Sequence, residues 1–264
     1  MDADAPALDL AQLYRDTRER LTSLVAGLDE RALATPVPAC PGWQVQDVVA
    51  HLAAIVEDAL AGRLTGPPSE EETAVQVARY KGRPMPQTLD GWTAGAPRFE
   101  EVISAFDIPP AVIDVASHEQ DIRGALGRPG ARDCPAVQQM AGWLLQRLRT
   151  PVPVRVTVED AEFWIGPAGG GRAAGGGRAA AEPLPGVGRE EPLPGVGREE
   201  PLPGAGREIA EPVLGLRTTR FEAFRWRMGR RSRDQLAALD WSGDPAPVLD
   251  HLVVFGPART DIIE

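Results

Sequence analysis

"AVIDVASHEQDIRGALG" (111–127) is the stretch on which the reading of this chain turns. Within it Asp114, His118 and Asp121 stand at i, i+4 and i+7, so on a helix their side chains share one face. Val115, Ile122 and Ala125 border that face and predict that it points inward, and Gly127 with Pro129 just beyond stops the helix. Glu119 is turned about 100° away and is expected to face solvent or a loop. Inward carboxylates are costly unless they are paired or bind a metal. A carboxylate one turn from an imidazole is also the usual group that orients a ligating histidine. The segment therefore asks for a partner on another helix.

"CPGWQVQDVVAHL" (40–52) supplies one. A Pro-Gly-Trp turn leads straight into an apolar helical run containing His51, one of only three histidines in the chain. On a helical wheel His51 lies beside Val48 and Ile55, at the edge of the apolar stripe, with Asp47 and Asp58 near the same line. His51, Asp114 and His118 together would place two imidazoles and one carboxylate inside a bundle, with positions left open for water or substrate. On spacing alone the plainer alternative stays open, that both histidines are polar core residues joined to aspartates.

The surroundings fit a helical bundle. Apolar residues recur at helical spacing from Leu8 to Leu28, from about Trp43 to Leu60, around Trp92 to Phe106, and from Ala111 to Leu126. A fifth helix reads from "CPAVQQMAGWLLQRL" (134–148), and then the pattern changes. In "VPVRVTVEDAEFWI" (152–165) Val154, Val156 and Val158 alternate with Pro153, Arg155 and Thr157, a strand pattern. Residues 166–208 are low-complexity and end in a nine-residue tandem repeat, "EPLPGVGRE" twice and "EPLPGAGRE" once (182–208). That repeat has too little apolar content to bury and is expected to be a disordered surface loop, placed between two strands as in a hairpin. A further strand and helices follow from "PVLGLRTTRFEAFRW" onward (212–226). The expected fold is α+β: a four-helix bundle over 1–130, then a small α+β domain over 131–264 that carries the insertion.

Composition removes several classes of function. A formal charge of −10 argues against nucleic acid and anionic membrane surfaces as partners. No stretch approaches the roughly 20 apolar residues of a membrane helix, and the acidic start is unlike a secretory signal, so a cytoplasmic location is expected. Cys40 and Cys134 have neither disulfide nor metal spacing and read as reduced, partly buried thiols. Two basic clusters, Arg79, Lys81 and Arg83, and Arg230 with Arg231, could clamp a carboxylate, although solvated surface charge is the commoner meaning. His251 has only its neighbour Asp250 as an acidic partner and reads as structural.

"TPVPACPGWQVQDVVAHL" (35–52) closely resembles a signature of the mycothiol-dependent maleylpyruvate isomerase family, which belongs to the DinB-like metal-binding four-helix bundles. "DVASHEQDIRGALG" (114–127) resembles that family's second signature, and "GRRSRDQLAALDWSGDP" (229–245) resembles a segment of its smaller α+β domain. The resemblance implies an up-down bundle with His51, Asp114 and His118 as metal ligands and Asp121 as the acid that supports them. It further implies zinc as the metal, mycothiol as a low-molecular-weight thiol co-substrate, and a small-molecule electrophile as the other partner. The family has glutamate where Asp114 stands, so the shorter side chain must reach further or act through water. Gln44 replaces the usual Ser/Thr helix cap, at an expected cost of about 1 kcal/mol. The activity implied is isomerisation or thiol S-transfer; the non-enzymatic alternative is a metal-binding or regulatory module of the same fold.

Overall fold

The computed structural model describes residues 9–64, 66–167 and 214–264. Its helical part contains α1 (Leu10–Ala26), α2 (Glu30–Leu33), α3 (Val45–Leu60), α4 (Glu70–Tyr80), α5 (Met85–Phe106), α6 (Pro109–Ala125) and α7 (Pro135–Gln146). The bundle is made of α1, α3, α5 and α6, with α4 laid against α3. Its core joins Leu13, Tyr14 and Leu21 of α1 to Val48, Val49 and Leu52 of α3, Trp92, Phe99 and Ile103 of α5, and Val112, Val115 and Ile122 of α6.

Local chemistry sets the helix ends. Asp9 caps α1 by accepting the Gln12 amide at 3.0 Å. At α3 the Asp47 carboxylate accepts the Gln44 amide at 2.9 Å, so an acid read as lying near the His51 line serves as part of the cap. Helix α5 begins seven residues earlier than its apolar pattern indicates, since Pro86 sits in the first turn, where a missing N–H costs nothing. Gly95 lets α5 approach α3 closely: a Cβ there would stand 3.0 Å from Val56 Cγ1.

Helix α4 is absent from the pattern reading, which places no helix between Leu60 and Trp92. Its buried residues are Gln76 and Tyr80, while Val75 is exposed, so no apolar stripe marks the inward face. The signal that was present is its capping box, with Ser69 Oγ accepting the Glu72 amide and Glu72 accepting the Ser69 amide.

The remaining elements are β1 (Val154–Val158), β2 (Ala161–Ile165), β3 (Leu214–Arg217), α8 (Arg220–Arg227), α9 (Arg233–Ala237) and β4 (Asp240–Trp241), with a 3₁₀ turn at Leu249–His251. The strand expected over 152–165 is a hairpin of two, turned at Glu159 and Asp160, and Val154, Val156 and Val158 point inward as their alternation indicates. The sheet order is β2-β1-β3-β4, with β1 antiparallel to β2 and parallel to β3. The low-complexity segment therefore connects strands that flank β1 rather than two arms of a hairpin, and the hairpin expectation is corrected. From 168 onward that segment, with its nine-residue repeat, lies outside the described residues.

Two helices serve both cores. Helix α7 sends Val137, Met140 and Leu144 into the bundle and Leu145 toward the sheet. Helix α8 turns Phe221 and Phe224 to the bundle and Ala223 and Trp226 to the sheet. This shared packing brings the segment after α8 against α6, which bears the site.

Candidate functional site

His51 from α3 and Asp114 and His118 from α6 converge, and ligand atoms from the three lie within 4.8 Å of one another. His51 Nε2 is 3.7 Å from Asp114 Oδ2, and His118 Nε2 is 3.5 Å from Asp114 Oδ1. Both imidazoles are buried, whereas the Asp114 side chain keeps 34% of its surface exposed. The rings meet edge to face at 5.3 Å between centroids. Trp43, carried by the Pro-Gly-Trp turn whose Gly42 has φ +87°, lies over both rings at 5.3 and 6.3 Å.

The far nitrogens of the two rings are held by different groups. His118 Nδ1 is 2.9 Å from Asp121 Oδ2. Asp121 is fully buried and accepts from Arg225 at 2.7 Å and from Arg230 at 2.8 Å. Burial alone would raise its pKa, but the guanidinium groups of Arg230 and Arg225, with His118, outweigh that and hold it well below the usual carboxylate range. As an ionised carboxylate Asp121 can only accept, so Nδ1 of His118 donates to it, and Nε2 is the nitrogen that faces Asp114. Asp114 is also lowered: burial pushes it up, and the two imidazoles and Arg230 more than offset that.

His51 Nδ1 lies 3.0 Å from Gln76 Oε1 of α4, and Gln76 Nε2 donates to Asp58 Oδ2 at 2.9 Å. Asp58 in turn accepts from Arg79 at 2.7 and 2.9 Å and from Arg63 at 2.8 Å. Desolvation is again overcome by these partners, and Asp58 is held below the ordinary range.

The donor set tests well for a divalent cation: two imidazole nitrogens and one carboxylate face a common space, and each imidazole is oriented from behind. A second grouping, Cys40 with His118 and Asp121, tests poorly, because Asp121 already faces two guanidinium groups. Burial, followed by the nearby Asp121 charge, pushes the Cys40 thiol well up. Burial likewise raises Cys134.

Other expected residues have other duties. Arg79 is spent on Asp58 and Glu57, Arg230 on Asp121, and Arg231 on Glu222 and Glu264. Arg83 stacks over the Tyr80 ring at 4.1 Å, and Lys81 is an exposed residue at the end of α4. His251 is exposed and takes no part in the cluster. Glu119 does not face solvent; it is fully buried and binds Arg20 of α1 and Arg123, because α1 and α7 cover that side of α6. The spacing argument missed Gln76, since α4 carries no apolar pattern. It also missed Arg225, which stands in a segment read only as helical.

No curated protein matches the chain. No helix among the described residues is long and apolar enough to cross a membrane. The family model described as the mycothiol maleylpyruvate isomerase N-terminal domain matches residues 14–128, a stretch that runs from within α1 to the end of α6 and contains all three converging residues. Over that helical region the chain is similar to the N-terminal domain of the mycothiol maleylpyruvate isomerase family.

Proposed function

We propose that the protein is a divalent-metal-dependent enzyme that uses mycothiol to attack a small electrophile, with zinc held by His51, Asp114 and His118. The observation that supports this most is the orientation of both imidazoles: their outer nitrogens are occupied, and their inner nitrogens turn to Asp114. A bound dication would lower the pKa of an incoming thiol so that thiolate forms near neutral pH. Asp114 is the most exposed of the three side chains, so it is the one a small molecule coming from solvent would meet first. The broad face of Trp43 screens the imidazoles from water on one side. Neither protein thiol is poised as a nucleophile, in keeping with a thiol brought by the co-substrate. The sulfur adds to an activated double bond; rotation and elimination then release the isomer and return the thiol unchanged. With a leaving group in place of the double bond, the same attack gives a thiol conjugate and consumes the thiol.

A second reading takes the 3.5 and 3.7 Å contacts at face value, as imidazoles paired with Asp114 in a module without turnover. Incubation with mycothiol and a panel of electrophiles that includes maleylpyruvate separates the two. The enzyme reading expects isomerised product with thiol conserved, or thiol consumed with conjugate formed, and expects either to vanish in His51→Ala. Neither product from the metal-loaded wild type supports the module.

A further inference from the structure

We propose that Gln76 is a positioning residue: from α4, outside the converging cluster, it sets which nitrogen of His51 carries the proton. The inference deepens the metal reading above, and its first measurement does not depend on it. Chemistry fixes the direction of each bond in the relay. Asp58 is held as a carboxylate by Arg79 and Arg63, so it can only accept. The amide nitrogen of Gln76 must then face Asp58 at 2.9 Å, which leaves the amide oxygen facing His51 Nδ1 at 3.0 Å. A carbonyl oxygen accepts, so Nδ1 of His51 donates, and Nε2 is the nitrogen left facing Asp114, without a proton whenever the ring is neutral. Gln76 is 1% exposed and both of its polar ends are matched, so water does not compete for either bond.

The two histidines thus reach one protonation pattern by different means. A carboxylate clamped by two arginines holds His118, and a neutral amide polarised by a remote carboxylate holds His51. The amide donates no negative charge to the ring, so His51 is the less electron-rich of the pair. Direct replacement by glutamate would set two carboxylates against each other at the Asp58 contact, and this accounts for an amide at position 76.

The test is imidazole ¹⁵N spectroscopy of the chelator-treated full chain, above the pH at which histidines titrate. With three histidines the spectrum is simple, and His51→Ala assigns the signal. His51 is expected as the Nδ1–H form in the wild type. Gln76→Leu should bring in the Nε2–H form and weaken zinc binding about 10–100-fold, the usual effect of losing an outer-shell partner. Gln76→Glu combined with Asp58→Asn reverses the inner hydrogen bond but keeps an acceptor on Nδ1, and it should restore both readouts. A wild-type His51 in the Nε2–H form overturns the proposal, even if Gln76→Leu fails to fold. So does a folded Gln76→Leu with unchanged His51 signals. Wild type that shows Nδ1–H but binds no zinc leaves this proposal standing and removes the metal reading.

Discussion

Asp121 is the residue on which most of the site's support converges: it meets His118, Arg225, Arg230 and the Cys40 thiol within one buried volume. Its place one turn from His118 was legible in the sequence as i+3 spacing on an inward face. The arginines opposite it were not, because they arrive from residues more than 100 positions away. Asp121→Asn should cost about 3 kcal/mol, since it leaves the fully buried Arg225 short of a counter-charge while Glu264 still offers one. Urea unfolding of the variant measures this, and a loss under about 1 kcal/mol would mean that the clamp contributes little. Glu119 makes the complementary point. Its angle on the wheel was read correctly, but the wheel does not show that a further layer, α1 and α7, covers that side.

At the scale of elements, helices with an apolar stripe were found and the helix without one was not. Helix α6 could be read from three side chains on one face, and α3 from its valines. Helix α4 buries an amide and a tyrosine, so hydrophobic periodicity has nothing to report. Its capping box is the local feature that holds it, which makes Ser69→Ala informative: a loss of about 1 kcal/mol should fall on α4. Amide exchange should quicken in Glu70–Tyr80 and leave α6 unchanged. Equal change in both helices would show that α4 is not an independently stabilised latch behind His51. The sheet followed its valine alternation, but its strand order did not. Which strand pairs with which is decided by α7 and α8 packing across both cores, and a single strand's pattern carries no such information.

For the whole molecule, buried ion pairs tie the helical and α+β parts together and predict sensitivity to acid. Asp58 and Asp121 have folded pKa values below the unfolded value of about 4, so their stabilisation is complete above that pH and is lost as pH falls below it. The urea midpoint should drop between about pH 5 and pH 3, and Asp58→Asn should flatten part of that drop. Superimposable curves for variant and wild type would exclude Asp58 from the acid response. The bundle and the converging residues were thus readable from two sequence stretches, 40–52 and 111–127, while the supports behind them needed the fold. The central claim is that this convergence holds a metal. Elemental analysis of purified wild type, His51→Ala and His118→Ala, with folding checked by circular dichroism, tests it most directly. The account predicts about one divalent ion per wild-type chain and little in either folded variant; equal metal content in all three would contradict it.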